Sequence, residues 1–185
     1  MVINLIGLCG SGKSALSRKL AKYYKLPILT IGQFRKDARK YNRCKKRPDG
    51  WGKFQQESQD WLKLYYRAAN LRWDNFIIST SGLNKRLQFL LDSTLSYPVN
   101  IKLICNKEIL SKRLSQRGKI RNTWAYCYQG YEEFNKGLSK NLKDVFAEIV
   151  IDTGKLNIEE SFKKAVKEIE RLKDSYEKCR ELFGN

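Results

Sequence analysis

The chain has 185 residues, the length of one domain, and its 42% hydrophobic and 12% aromatic content supports a sizeable core and excludes a disordered protein. It contains no histidine, which excludes imidazole catalysis, and its five scattered cysteines favour reduced thiols in a cytoplasmic protein over a disulfide or zinc framework. No apolar run is long enough to span a membrane. The 37 lysines and arginines against 19 acidic residues give a net charge of +18, which favours polyanionic partners, nucleic acid among them.

The first predicted elements are a buried strand over 2–6 and a helix over 14–24, joined by a glycine-rich loop. The loop reads GLCGSGKS over 7–14 and fits the pattern G-x-x-x-x-G-K-[ST], the phosphate-binding P-loop. Its glycines let consecutive N–H groups face the phosphates, and the N-terminus of the following helix attracts an anion. We therefore predict that the phosphates of ATP are bound by Gly10, Ser11, Gly12, Lys13, Ser14 and Ala15.

Two side chains of this loop have separate predicted roles. Lys13 reaches the β- and γ-phosphates as a catalytic point charge, and the hydroxyl of Ser14 ligates Mg²⁺. We expect Lys13 to lie in a solvent-filled loop and not in the core. The cofactor that follows from this pattern is Mg²⁺, with ATP as co-substrate.

Along the rest of the chain, strands alternate with helices. Further strands are predicted over 26–31, 75–80, 99–105 and 148–152, and helical segments over 33–41, 53–71, 83–91 and 107–117. A long amphipathic helix capped by Asn157 follows, with an apolar stripe of Ile158, Phe162, Val166, Ile169 and Leu172. The pattern leaves open whether 173–185 packs or frays. Alternation with apolar strands predicts an α/β fold, a parallel sheet covered by helices on both faces.

Two segments carry unusual side chains. Residues 35–47 contain eight cations against one acid, Asp37, so this segment is either an anion-binding patch or a solvated lysine-rich surface. Five aromatic residues crowd into 124–134, and their role is either packing or stacking on a base.

The P-loop at the start, the second strand ending in LTIGQFR over 29–35, and the segment 104–117 together resemble the nucleoside monophosphate kinase group, above all its cytidylate kinase-like branch. The stretch 149–153 followed by a helix is similar as well. The resemblance covers nearly the whole chain. It implies a single three-layer P-loop kinase domain over 1–185 with a sheet of about five parallel strands. An acceptor-binding segment is expected over about 33–72 and a lid over about 113–137.

The resemblance also implies an activity and residue roles. The activity is transfer of the γ-phosphate of Mg-ATP to a nucleotide-type acceptor, foremost a nucleoside or deoxynucleoside monophosphate. Arg35 is expected to hold the acceptor phosphate, with Gln33 and Gly82 in the same acceptor site. Arg113 and Arg117, which share one helix face, are expected to neutralise charge on the transferring phosphate as lid residues. The alternative for both arginines is a solvated helix face.

Two further functions stay open. The net charge and the basic and aromatic segments fit a polynucleotide 5′-hydroxyl kinase, but a hydroxyl nucleophile benefits from a carboxylate base. This chain has Gln33 where the resembling kinases have an acid, which favours an acceptor that is already an anionic phosphate. The other alternative is a nucleic-acid-binding module with ATP as a switch. The sequence does not distinguish a monomer from a dimer.

Overall fold

The computed structural model describes residues 1–30, 75–80, 98–121, 142–143 and 145–183. The elements are β1 (Val2–Gly7), α1 (Lys13–Tyr24), β2 (Ile28–Thr30), β3 (Phe76–Thr80), β4 (Pro98–Ile104), α2 (Lys107–Arg121), β5 (Ile149–Asp152) and α3 (Ile158–Phe183). All five predicted strands are confirmed. The helical segments predicted over 33–41, 53–71 and 83–91, and the aromatic segment 124–134, lie outside the described residues.

The five strands form one parallel sheet in the order β2-β3-β1-β4-β5. The central strand β1 is buried along its whole length, as its apolar sequence predicts for a strand covered on both faces. Asn4 of β1 and Asn100 of β4 are register partners, and the Asn4 amide donates a 2.8 Å hydrogen bond to the Asn100 amide oxygen. The order places the carboxyl end of β1 between those of β3 and β4.

Helices α1 and α3 pack on one face of the sheet, where alternate strand residues point. Leu16 and Leu20 of α1 and Ala165 and Ile169 of α3 join these strand residues in a single apolar core. Four strand residues of the opposite face, Val2, Ile6, Phe76 and Ile78, are equally buried. The predicted α/β class with a parallel sheet of five strands is therefore confirmed.

The predicted stripe of α3 is partly wrong. Ile158 is 37% exposed, whereas the small residues Ser161 and Ala165 are almost completely buried beside Ile169. A stripe defined by large apolar side chains misses small residues, although these permit the closest packing of a helix. The predicted cap is confirmed, because the Asn157 side chain accepts the N–H groups of Glu159 and Glu160 at 2.9 and 3.0 Å. The helix continues to Phe183.

Polar side chains join α1 to α3 away from the P-loop. The Tyr24 hydroxyl donates a 2.7 Å hydrogen bond to Glu170, whose carboxylate also pairs with Lys173 at 3.1 Å. Burial raises the pKa of Tyr24 above its usual range, and the bond to Glu170 adds to this. The same bond is the main cause that lowers the pKa of Glu170. Lys19 forms a further pair with Glu159. In the part of the chain that is described, no helix has the length and apolar character needed to cross a bilayer.

Candidate active site

The loop between β1 and α1 has the conformation that its glycines allow. Gly10 and Gly12 have φ angles of 86° and 94°, a region that L side chains rarely adopt. At Gly7 the reason for glycine is a close approach. A Cβ atom there would lie 2.7 Å from the carbonyl oxygen of Leu103 on the neighbouring strand and 2.8 Å from the Ser11 hydroxyl. The P-loop sequence is therefore matched by P-loop geometry.

The N-terminus of α1 is left open by its own sequence. The helix begins after Gly12 with no side-chain cap and no acidic residue in its first turn. Ser14 is exposed in this turn, and Ala15 is half-buried. An uncapped helix N-terminus carries unsatisfied N–H groups and a partial positive charge, so this end suits an anion.

The Lys13 side chain folds back onto the loop. Its ammonium group donates hydrogen bonds of 2.6 Å to the carbonyl oxygen of Gly7 and 2.7 Å to that of Leu8. Lys13 is only 8% exposed, so the expectation of a residue in a solvent-filled loop is wrong. The physical reason is that a buried ammonium needs acceptors, and the curled loop offers two carbonyl groups within reach.

Arg113 of α2 connects the loop after β5 with the P-loop. Its guanidinium donates a 2.7 Å hydrogen bond to the backbone carbonyl of Thr153, with longer contacts of 3.4 Å to the Thr153 hydroxyl and to the carbonyl of Gly10. Arg113 is half-buried, so a solvated helix face does not describe it. Arg117 lies in the same helix, and its side chain is outside the described part of the structure.

Thr153 is the residue that reasoning from sequence missed. Its hydroxyl lies 2.9 Å from the Ser11 carbonyl and 3.2 Å from the Ile104 carbonyl, and donates its one proton toward both. It therefore joins the P-loop to the end of β4 while it faces Arg113. One signal in the sequence could have identified it. Thr153 is a hydroxyl residue directly after the predicted strand 148–152, and in a parallel sheet this strand ends at the same edge as the strand before the P-loop.

A cleft of about 380 Å³ opens beside the P-loop. Gly10 and Gly12 form its border with the loop. The other lining residues come from α1, α2 and the segment from β5 into α3: Ala15, Leu16, Arg113, Gln116, Thr153, Leu156, Asn157, Ile158 and Ser161. The cleft combines apolar walls with a guanidinium and a few neutral polar groups, a composition typical of small-molecule sites.

The predicted acceptor residues Gln33, Arg35 and Gly82 lie outside the described residues, so the structure does not place them. Of the residues that end the five strands, all of them described, only Asp152 is acidic. Its carboxylate accepts the N–H of Gly154 at 2.9 Å and so holds its own turn. The described ranges also contain no group of three or more Cys, Asp or Glu residues arranged to hold a metal ion.

The chain is similar in structure to several solved kinases. An unliganded sugar kinase from Janibacter sp. matches with a TM-score of 0.66 and 17% identity over 91% of this chain and 94% of that one. A gluconokinase from Sinorhizobium meliloti matches at 0.64 and 17% over 96% of each chain. A shikimate kinase from Aquifex aeolicus matches at 0.58 and 22% over 92% of this chain and 96% of that one. The chain therefore has the fold of P-loop kinases, whereas the cytidylate kinase-like branch stays a prediction.

No model of a known protein family and no curated protein sequence matches the chain.

Proposed function

We propose that this protein is a phosphotransferase that moves the γ-phosphate of Mg-ATP to a small acceptor. The observation that carries the proposal is the pair of cations at the P-loop, Lys13 and Arg113, which both donate to backbone carbonyls. Phosphoryl transfer requires positioning and charge neutralisation more than covalent help from the protein. A cation held by neutral carbonyls can turn to a phosphate, because a charged acceptor makes the stronger hydrogen bond.

The cleft supports a nucleotide as the phosphoryl donor. Gly10 and Gly12 belong to the P-loop and also line the cleft, so a ligand with phosphates in the loop has its base within reach of the cleft. The planar guanidinium of Arg113 borders the same space, and planar cations stack well on aromatic rings. The phosphate site and the proposed base site therefore share Gly10 and Gly12.

Mg²⁺ fits the residues present. Ser14 is exposed in the first turn of α1, where its hydroxyl can supply one oxygen ligand. Mg²⁺ bound with a nucleotide takes most of its ligands from phosphates and water, so it needs few protein groups. When bound, the ion would neutralise charge between the β- and γ-phosphates.

The first candidate for the acceptor is a nucleoside or deoxynucleoside monophosphate. Its phosphate oxygen is already anionic and requires no general base. This agrees with the described strand ends, where the one carboxylate, Asp152, is engaged in its own turn. It also agrees with Gln33 and Arg35 after the second strand, where the sequence places an amide and a cation.

The second candidate is a small hydroxylated molecule, and a specific observation favours it. The structures that match over more than 90% of both chains include a sugar kinase, a gluconokinase and a shikimate kinase. A hydroxyl acceptor would benefit from a carboxylate base. Asp37, which lies outside the described residues, is the carboxylate closest in sequence to the second strand.

One screen separates these acceptors. The full-length protein is incubated with Mg²⁺ and γ-labelled ATP, together with each monophosphate, sugars, gluconate, shikimate, or a 5′-hydroxyl oligonucleotide. We expect label on a monophosphate, and transfer by the Lys13→Ala variant that is lower by about 100-fold or more. Label on a hydroxylated molecule selects the second candidate, and label on the oligonucleotide selects a polynucleotide kinase. ATP binding that depends on nucleic acid, without transfer to any acceptor, would overturn the phosphotransferase.

A further inference from the structure

The positive charge of the chain is distributed unevenly over its helices. Residues 1–36 contain no acid, so α1 and the turn after it carry five cations and no carboxylate. In α3, by contrast, seven cations are matched by seven acidic residues. Like charges at neighbouring positions of a helix repel each other, and a surface of one sign attracts ions of the other. The surface of α1 is therefore positive, whereas the charges of α3 balance.

Arg18, Lys22 and Lys25 form a row on the solvent side of α1. All three are exposed, and their spacing of four and three residues places them within about 60° of the helix circumference. Successive members of the row lie about 4–6 Å apart along the helix axis. Lys19 lies on another side of the helix, toward α3, where it pairs with Glu159. We call Arg18, Lys22 and Lys25 the basic stripe.

The basic stripe is not neutralised by any carboxylate that the structure describes. The ion pairs within the described ranges involve other cations, namely Lys19, Lys155, Arg171 and Lys173. No residue of the stripe lines the cleft beside the P-loop. An external anion can therefore approach these three side chains without displacing an ion pair and without entering the cleft.

The form of the stripe favours a nucleic-acid strand over a membrane as the anionic partner. A strand carries phosphates at regular intervals, and a row of exposed cations can contact several of them in succession. A helix that binds a lipid surface needs large apolar side chains beside its cations. The leucines of α1, Leu16 and Leu20, are 1% and 0% exposed and belong to the core. They are not available to enter lipid.

We propose that the basic stripe binds the phosphate backbone of a single-stranded nucleic acid. The inference does not rest on the proposed function, because the stripe lies outside the cleft and the P-loop. Transfer to a small acceptor should not depend on it. Phosphate contacts carry no sequence information, so strands of different base sequence should bind alike.

The test measures the binding of the full chain to fluorescently labelled single strands of about 12 nucleotides by anisotropy. The salt concentration is varied between about 50 and 200 mM. The stripe variant combines Arg18→Gln, Lys22→Gln and Lys25→Gln, which removes three charges and keeps good helix formers. We expect its Kd at the lowest salt to rise about tenfold or more, and the slope of log Kd against log salt to fall by about 2.

The matched control combines Lys163→Gln, Lys164→Gln and Lys167→Gln, at exposed positions of α3. It loses the same net charge and should keep the wild-type slope. Thermal unfolding checks that both variants fold. If the stripe variant does not fold, the single variants Arg18→Gln and Lys22→Gln should each lower the slope by about 0.7.

Three results would overturn the inference. They are a wild type that does not bind the strands, a stripe variant that binds as the wild type does, and an equal loss in the stripe variant and the control. In the last case net charge alone would explain the binding. Vesicles of phosphatidylserine and phosphatidylcholine form a further arm, and wild-type binding to them without binding to the strands would assign the stripe to lipid instead. Phosphoryl transfer is measured separately, so failure of the proposed function leaves this test intact.

Discussion

The two ends of α1 treat positive charge in opposite ways. At the N-terminal end, Lys13 donates to the carbonyls of Gly7 and Leu8, and nearby Arg113 donates to the carbonyl of Thr153. Further along the helix, Lys19 pairs with Glu159, and Tyr24 lies beside a pair of Glu170 and Lys173.

This difference distinguishes the proposed phosphate-binding end of α1 from the end that packs against α3. A cation that donates to neutral carbonyls is still attracted to an anion, because a charged acceptor makes the stronger hydrogen bond. A cation that is already paired with a carboxylate is neutralised, and exposed pairs of this kind contribute about 0–1 kcal/mol to stability. The cations at the N-terminal end of α1 are therefore expected to affect turnover. The polar contacts toward its C-terminal end are expected to affect only the packing of α1 against α3.

The largest effect is expected at Lys13. Lys13→Ala removes the ammonium aimed at the transferring phosphate, and loss of one such donor lowers turnover about 100- to 1000-fold. Turnover is measured by transfer of labelled γ-phosphate to the acceptor that the screen identifies. The control is Lys22→Ala in the exposed last turn of the same helix, which should keep wild-type turnover. Undiminished turnover in Lys13→Ala would remove the distinction between the two ends.

The next effect is expected at Arg113. Arg113→Lys keeps the charge but loses the planar fork that spans Thr153 and Gly10. We expect turnover to fall by about tenfold or more, and more than ATP binding does, if the contact with phosphate forms fully only in the transition state. Steady-state kinetics with an ATP titration measures both quantities. Lys112→Ala, at the exposed neighbouring position, is the control. If Arg113→Lys lowers the stability of the protein but leaves turnover and ATP binding unchanged, Arg113 has a structural role.

A smaller effect is expected at Thr153. Thr153→Val keeps the shape but removes the hydroxyl that joins Ser11 to Ile104, so the P-loop loses one anchor. We expect the KM for ATP to rise by about tenfold, the net value of about one hydrogen bond, while kcat changes less. Thr153→Ser retains the hydroxyl and should restore the KM. If both variants behave alike, the hydroxyl does not position the loop.

The smallest effect is expected at Glu170 of α3, which accepts a hydrogen bond from Tyr24 at the C-terminal end of α1. The pKa of this carboxyl is lower in the folded protein than its ordinary value of 4.5, so its contribution to stability is complete above pH 4.5. The contribution is lost as the pH falls through the folded-state pKa. The side chain is 44% exposed, so the loss should stay under about 1 kcal/mol.

Glu170→Gln should lack this acid-dependent component in denaturant unfolding measured between pH 3 and pH 7, and turnover at pH 7 should not change. A variant with wild-type pH dependence would contradict the assignment. A variant with reduced turnover would show that the two ends of α1 are coupled.

The sequence predicted those parts of the molecule that depend on local patterns. The strand expected over 2–6 is Val2–Gly7, and the helix expected over 14–24 is Lys13–Tyr24, because period and loop motif are both local signals. Long-range geometry was out of reach. Arg113 and Thr153 are 40 residues apart, and no pattern of spacing indicates that their side chains meet.

The burial of polar residues was also not predicted from the sequence. Lys13 looked like a solvated loop residue, but its position depends on the curl of the loop, which brings two carbonyls to the ammonium. Ser161 is polar and was not part of the predicted apolar stripe of α3, but it is 1% exposed. Both outcomes depend on three-dimensional packing, which composition and periodicity do not encode.

The pair of Asn4 and Asn100 has a consequence for how the chain folds. The two strands that it joins are parallel, and the two asparagines are 96 residues apart in sequence. Such non-local pairing is expected to form slowly. A shift by two residues would keep every side chain on its own face, and apolar neighbours alone would tolerate it. That shift would leave two buried amides apart, at a cost of about 1–3 kcal/mol for each unsatisfied group. The amide pair therefore favours the native register of β1 and β4 over a register shifted by two residues.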